Sequence, residues 1–154
     1  MNSPLRNILA VIAGWFVGSV VNMSIISFYP SIFPLPEQII EGDMQSLIDH
    51  AHLLEIPNLI SVFLAHGLGT LVGAFLAAKI GVSRHLLLSM IIGGLFLLGG
   101  IAINTMLNFT PPVFSVIDTF FAYIPMAWIG WKLSHPLKFA PSKEINGTID
   151  GNLD

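Results

Sequence analysis

Residues 86–108 read LLLSMIIGGLFLLGGIAINTMLN, a stretch of 23 residues without a charged side chain. An α-helix rises about 1.5 Å per residue, so about 20 residues cross the ~30 Å hydrocarbon core of a bilayer. In lipid, backbone N–H and C=O groups must find their partners within the protein, which favours a helix at this length. The stretch does not alternate apolar with polar residues, as a barrel strand does. It therefore predicts a transmembrane α-helix.

Three further apolar runs lie at about residues 5–29, 57–79 and 112–133. Of the 154 residues, 54% are hydrophobic and 10% are charged, whereas a soluble domain carries about a quarter charged residues. So few charges cannot cover a surface that faces water. We expect an all-α membrane protein with a four-helix transmembrane domain, residues 1–135, and a polar tail, residues 136–154. The expected partner is the lipid bilayer, and a net charge of −3 gives no reason to expect a nucleic acid.

All six lysine and arginine residues flank the same ends of these four runs. They are Arg6 at the start of the first run, Lys79 and Arg84 around the link between the second and third, and Lys132, Lys138 and Lys143 at and after the end of the fourth. The opposite loops, about residues 30–56 and 109–111, contain neither residue type. Basic residues are concentrated on the cytoplasmic side of membrane proteins. Both termini are therefore predicted to be cytoplasmic.

The long outer loop, residues 30–56, contains a second helical pattern. Apolar residues recur at helical spacing in its second half, and Asp43 precedes them as a residue type that caps helix N-termini. Prolines 30, 34 and 36 keep the preceding segment extended. The pattern predicts a short amphipathic helix at about residues 43–54, which lies on the outer membrane surface or caps the bundle.

Small residues are spaced along the runs so that they share helix faces. Helices in lipid associate by close backbone approach at such residues. The candidate packing residues are Gly14 and Gly18 in the first run, Gly69 and Gly73 in the second, and Gly93 and Gly100 in the third. The fourth run has fewer, and Pro125 is expected to kink it. Alternatively, the row of small residues on one of these helices forms a homo-oligomer interface.

Each run also carries one polar residue on or beside its predicted packed face: Asn22, His66, Asn104 and Asp118. All four are expected in the outer half of the bilayer, so they can meet in one cluster. An ionised carboxylate facing lipid costs at least ~2.5 kcal/mol, so Asp118 needs a partner. His66 is the ionisable group in another run that is placed to pair with it.

Three interpretations of this polar group stay open. It can be a clasp that fixes helix register, or a proton-linked or ligand-binding pocket open to the outside. In the third, Asp118 extends to the outer surface. Hydrogen bonds between membrane helices average only ~0.6 kcal/mol, which makes a clasp alone a weak reason for a buried aspartate.

Other chemistry has little support in the sequence. His50 and His52, with Asp49 nearby, resemble a metal pair, but residues two apart on a helix point to nearly opposite sides. Ser61 lies five residues before His66 and off its face, which disfavours a serine nucleophile. There is no cysteine and no phosphate-binding or dinucleotide motif. We therefore expect no catalytic residue, no metal and no cofactor.

Two segments carry a family resemblance: FLAHGLGTLVGAFLAAK at residues 63–79 and AYIPMAWIGWK at residues 122–132. They resemble a group of small, uncharacterised, four-helix integral membrane proteins of Bacteroidetes-like bacteria. The similarity covers most of residues 5–133 and excludes the polar tail. It implies a bacterial inner (plasma) membrane and supplies no mechanism.

Two functional hypotheses follow from these patterns. The first is a structural or interaction subunit, or a small homo-oligomer, and the small-residue stripes favour it. The second is a small transporter or channel component that uses a pocket at His66 and Asp118. An intramembrane enzyme has the weakest support, because no nucleophile or metal set accompanies His66.

Overall fold

The computed structural model describes residues 3–107 and 112–135, and these residues form helices and no strand. The α-helices are α1 (Ser3–Phe28), α2 (Met44–His50), α3 (Ile56–Ile80), α4 (His85–Leu107), α5 (Pro112–Phe121) and α6 (Ile124–Ser134). Short 3₁₀ turns at Tyr29–Ser31 and Ala51–Leu53 follow α1 and α2.

Four segments are long and apolar enough to cross a membrane: α1 with its 3₁₀ turn, α3, α4, and the pair α5–α6. The prediction of an all-α, four-span bundle is confirmed, and the chain is a multi-pass membrane protein. Residue 108 of the third run, the short loop 109–111 and the polar tail 136–154 lie outside the described residues. The side of the membrane that each end faces stays a prediction.

Helix α3 lies at the centre of the bundle and packs against α1, α4 and α6. Its contact with α1 is made through glycine on both helices. A β-carbon added to Gly14 would lie 2.5 Å from the carbonyl oxygen of Gly73, and one added to Gly18 would lie 2.6 Å from that of Gly69. No side chain separates the two backbones at these points. The spacing of the small residues thus allows the close approach on which helix association in lipid relies.

Helix α4 packs against α6 through its own glycines. A β-carbon on Gly93 would lie 2.7 Å from the β-carbon of Ala127, and at Gly100 the Tyr123 hydroxyl occupies the space of a β-carbon. At Gly94 and Gly99, in contrast, no atom from residues 3–107 or 112–135 lies within 4 Å of an added β-carbon. Helix α4 therefore presents glycine both to the bundle and to its surroundings.

The fourth span is interrupted between α5 and α6 at Ala122 and Tyr123. Pro125 has no N–H, so the carbonyl of Phe121 lacks the donor that a continuous helix would supply. Tyr123 has φ −116° and ψ −76°, outside the regular helix, and its carbonyl accepts from the N–H of Ala127 at 2.8 Å to start α6. The interruption lies two residues before the proline expected to kink this run.

The segment between α1 and α3 covers one end of the bundle. Asp43 accepts a hydrogen bond from the N–H of Gln45 at 2.9 Å and caps α2. Buried apolar residues of this segment pack against the ends of α3 and α4, namely Ile39, Ala51 and Leu54 against Leu59 and Leu107. In this geometry α2 belongs to a cap on the bundle. Its depth relative to the membrane surface stays a prediction.

At the other end, the link from α3 to α4 is attached to the start of α1. Asn7 donates from Nδ2 to Ser83 Oγ at 2.9 Å and accepts from the N–H of Val82 at 3.0 Å. Arg6 donates from Nε to the carbonyl of Ile80 at 3.1 Å. Arg84 has φ 52°, a left-handed conformation that costs an L-residue about 1–2 kcal/mol.

The substitution Gly14→Ala tests the close contact of α1 with α3. The new methyl group would overlap the Gly73 carbonyl, so we expect a loss of about 1–3 kcal/mol in the free energy of unfolding. Gly94→Ala is the matched control, because its methyl group meets no atom and alanine favours the helix by up to about 1 kcal/mol. Unfolding by SDS in mixed micelles measures both. Equal stability of the two variants would contradict the packing described here.

Candidate functional site

Asp118, on α5, is fully buried and faces the central helix. The Nδ1 atom of His66 on α3 lies 2.9 Å from Asp118 Oδ1 and 3.0 Å from Oδ2. This is an ion pair when the imidazole is protonated, and it joins two spans. Asp118 therefore does not extend to the outer surface, and its partner is the residue expected from the sequence.

Tyr123 is a third member of the site, and the sequence analysis missed it. Its hydroxyl lies 3.0 Å from Asp118 Oδ2 and 2.8 Å from His66 Nδ1, and the residue is fully buried. Because the carboxylate can only accept, His66 Nδ1–H and the Tyr123 hydroxyl both serve as donors to it. The tyrosine hydroxyl reaches this position because Gly100 leaves space on α4.

The break in the fourth span brings Tyr123 to the same side as Asp118. Residues five apart in a regular helix point about 140° away from each other. The interruption at residues 122–123 cancels this rotation. In the sequence, Pro125, two residues beyond Tyr123, indicates that the helix is interrupted nearby. It does not indicate which side chain the interruption reorients.

Asn104 approaches Asp118 from α4. Its Nδ2 donates to Asp118 Oδ2 at 3.3 Å and to Thr119 Oγ1 at 3.5 Å. Its Oδ1 is buried and has no hydrogen-bond partner among the described residues. The donors of three spans thus converge on one carboxylate. His66, Asn104, Asp118 and Tyr123 are called the polar cluster below.

Asn22 does not join the polar cluster. It is half-buried on α1 and makes no side-chain hydrogen bond among the residues that the structure describes. Its β-carbon lies 2.9 Å from the place where Gly69 would carry its own. Asn22 therefore packs against Gly69, where α1 and α3 approach each other closely. Of the four residues expected to meet, the structure joins His66, Asn104 and Asp118 by hydrogen bonds and gives Asn22 none to them.

His66 keeps one ring nitrogen away from the carboxylate. Nδ1 makes all of its hydrogen bonds, whereas Nε2 has no partner in the described part of the chain. About 10% of the His66 side chain is accessible, while that of Asp118 is fully enclosed. The backbone carbonyl of His66 accepts from the buried Thr70 hydroxyl at 2.7 Å, which ties the histidine to the next turn of α3. Access to the pair therefore leads through His66.

The polar cluster can hold a proton in a low-dielectric surrounding. His66 and Asp118 are neutral overall as an imidazolium with a carboxylate, or as a neutral imidazole with a carboxylic acid. Removal of one proton from either form leaves a neutral imidazole and a carboxylate, which together carry one negative charge. A net charge inside a bilayer is costly.

The histidines of the outer loop are placed differently. His50 Nδ1 lies 3.0 Å from the carbonyl oxygen of Ser46, within α2. Within residues 3–107 and 112–135, no three histidine, aspartate or glutamate side chains come together in a group suited to a metal.

No family model matches this sequence, and no curated protein and no solved structure matches it. The fold and the site thus stand on their own geometry. They define a class of protein: an α-helical, multi-pass membrane protein of four spans. Within that class, this chain is marked by a buried histidine–aspartate pair that a tyrosine completes at a break in the fourth span.

Tyr123→Phe tests the hydroxyl in the polar cluster. It removes one donor from the Asp118 carboxylate, and we expect a loss of about 1 kcal/mol in the free energy of unfolding. Tyr29→Phe is the matched control, because the Tyr29 ring stacks on Phe33 at 4.9 Å and its hydroxyl makes no hydrogen bond among the described residues. Unfolding in mixed micelles measures both variants. If both lose the same stability, the hydroxyl has no special part in the site.

Proposed function

We propose that this protein binds and releases a proton inside its transmembrane bundle, as a small transporter or channel component. The observation that carries the proposal is the His66–Asp118 pair, with contacts of 2.9 and 3.0 Å, enclosed on the carboxylate side and accessible on the imidazole side. Imidazole is the side chain whose ordinary titration lies nearest to neutral pH.

The chain already joins its spans with neutral polar groups. Ser89 Oγ on α4 donates to the carbonyl of Ala74 on α3 at 3.0 Å, and Asn7 on α1 binds Ser83 at 2.9 Å. Such groups fix helix register without placing an ionisable group in lipid. An ionisable pair adds a cost that a register-fixing role does not require. What the pair adds beyond a clasp is the capacity to exchange a proton.

The proton path begins at the accessible imidazole. A proton that binds His66 Nε2 makes an imidazolium whose Nδ1–H already points to Asp118. Transfer of the Nδ1 proton to the carboxylate leaves a neutral imidazole and a neutral carboxyl group. Proton and charge balance in both steps, and no other reactant is needed.

The depth of the pair fits a site within the bilayer. His66 lies ten residues after Ile56, the first residue of α3, which is about 15 Å along the helix. The other end of α3, at Ile80, is 14 residues away, or about 21 Å. The pair is thus nearer to the end covered by α2. We propose that the pocket opens to that side and that this side is the cell exterior.

The break between α5 and α6 supplies a place where proton exchange can change the fold. Asp118 lies before the break and Tyr123 lies in it, so their hydrogen bond crosses from α5 to the interruption. Neutralising the carboxylate weakens a charge-assisted hydrogen bond at that point. We propose that the angle between α5 and α6 responds to the protonation of the pair.

Asp118→Asn tests the proposed function. In proteoliposomes that contain a pH-sensitive dye, a pH gradient should drive proton flux through the wild-type protein. Because the asparagine side chain cannot exchange a proton, the flux of this variant should fall to the level of protein-free vesicles. Asp49→Asn is the matched control, since Asp49 is exposed on α2 and bonded only to Gln45, and its flux should equal that of the wild type.

Assembly of each variant is checked by its helix content and its elution in detergent. A folded Asp118→Asn variant with wild-type flux would overturn the proposal, as would a wild-type protein that conducts no more than empty vesicles. Under either outcome the polar cluster is a structural clasp.

A structural or interaction subunit, or a small homo-oligomer, is the second candidate function. The observation that favours it is the open space at Gly94 and Gly99 on α4. Glycine costs a helix about 1 kcal/mol relative to alanine, and at these two positions no atom of the described residues lies within 4 Å of an added β-carbon. They leave room for the backbone of another helix, from a second copy or from a different membrane subunit.

Gly99→Leu tests this second candidate. The larger side chain fills the open face without touching the bundle, so an assembly that uses this face should dissociate while the monomer stays folded. Native mass spectrometry of the protein released from lipid nanodiscs measures the oligomeric state. A wild-type protein that is monomeric without bound subunits would contradict this function.

For the location we propose a bacterial inner (plasma) membrane with both termini in the cytoplasm. Support comes from the six basic residues at one set of helix ends and from the resemblance at residues 63–79 and 122–132.

A further inference from the structure

A groove of about 670 Å³ lies between the start of α4 and the end of α6, at the bundle end opposite α2. The groove is open, and its lining is almost entirely apolar, with Leu87 and Trp131 among its residues. Arg84, His85 and His135 line it largely through their carbon atoms, so an exposed cation and two imidazoles lie beside the apolar part. The groove is separate from the polar cluster and shares no residue with it.

The positive charge around this groove has no acidic counterpart in the part of the chain that the structure describes. Arg84 is exposed and forms no ion pair there. Two further cations lie at the same end of the bundle: Lys79 at the end of α3, and Lys132 on α6, whose Nζ lies 5.2 Å from the ring centroid of Trp131. The described acidic residues lie in the segment between α1 and α3 or in the polar cluster: Glu37, Glu41, Asp43, Asp49, Glu55 and Asp118. Among the described residues, the formal charges at this end of the bundle are therefore all positive.

The two imidazoles are held so that each can add a donor. His85 Nδ1 donates to the carbonyl of Ala78 at 2.8 Å, and His135 Nδ1 donates to Ser134 Oγ at 2.7 Å. Their rings lie 4.5 Å apart. Nε2 of each ring makes no hydrogen bond among the described residues, so protonation there creates an N–H donor and a positive charge beside Arg84.

We propose that this groove binds one anionic phospholipid. The phosphate lies against Arg84 and the two imidazoles, and an acyl chain runs along Leu87, Met90 and Trp131 on the apolar part. Among the molecules that a bilayer supplies, an anionic phospholipid carries a charged phosphate at the interface and an apolar acyl chain directly below it. A free inorganic anion would leave the apolar lining unused.

The experiment measures the lipid that the full-length protein retains. The protein is reconstituted in mixed vesicles of phosphatidylglycerol and phosphatidylcholine, extracted in mild detergent, and analysed by native mass spectrometry. The wild type should retain phosphatidylglycerol in preference to phosphatidylcholine. Arg84→Gln should lower this preference about fivefold, the equivalent of one juxtamembrane cation. Lys79→Gln is the matched control, because it removes a positive charge at the same end but outside the groove lining.

Two further variants test the two parts of the groove. Leu87→Trp adds bulk to the apolar part without changing the charge, and it should displace the retained lipid. The double variant His85→Gln/His135→Gln removes both imidazoles from beside Arg84, and it should lower the preference for phosphatidylglycerol.

Equal losses in Arg84→Gln and Lys79→Gln would overturn the proposal, because retention would then follow net charge alone. Unchanged retention in Leu87→Trp would show that no acyl chain binds along Leu87, and it would overturn the proposal that the ligand is a lipid. Arg84, Leu87 and the control residue Lys79 are all exposed, so their substitution leaves the packed interior intact.

Discussion

Lipid surrounds the bundle, and apolar side chains gain little by leaving lipid for one another, so the fold depends on the close approach of helix backbones. Helix α3 provides the common surface. Gly69 and Gly73 face the carbonyls of Gly18 and Gly14 on α1, and the other sides of α3 receive α4 and α6. Without side chains at these points, van der Waals contacts between backbones replace the hydrophobic effect that holds a soluble core together.

The polar cluster is a consequence of the same close packing. Gly100 leaves the space into which Tyr123 extends, and the interruption before Pro125 turns that side chain toward Asp118. A bulkier residue at position 100 would exclude the hydroxyl from the site. The glycine on α4 and the break in the fourth span therefore act together. One opens the space and the other directs the side chain into it.

The sequence predicts the features of this protein that follow from periodicity and from the solvent. Apolar runs of helical length specify the four spans, and small residues four positions apart place Gly14 and Gly18 against α3. The same spacing rule does not fix the contacts of Asn22. It assigns a residue to a face but does not say which neighbour the face meets, and α1 packs its polar residue against Gly69.

The sequence does not indicate that Tyr123 belongs to the polar cluster, and the reason differs from that for Asn22. A side chain five residues from Asp118 lies on another face of any regular helix, so only a deviation from helical geometry brings the two together. The sequence indicates that a deviation occurs near Pro125 but leaves its position and its angle open. Those depend on how α6 packs against α3 and α4, which is a tertiary property.

The polar cluster and the groove at Arg84 differ in how exposed their charged groups are. The polar cluster encloses a carboxylate and surrounds it with donors from two other spans and from the break in its own span. Arg84, in the lining of the groove, is exposed and forms no ion pair in the described part of the chain. An enclosed charge is suited to exchange with a small ion such as a proton. An exposed charge at the interface is suited to a ligand that the membrane itself supplies. The two sites therefore call for ligands of different kind, and a change at one is not expected to alter binding at the other.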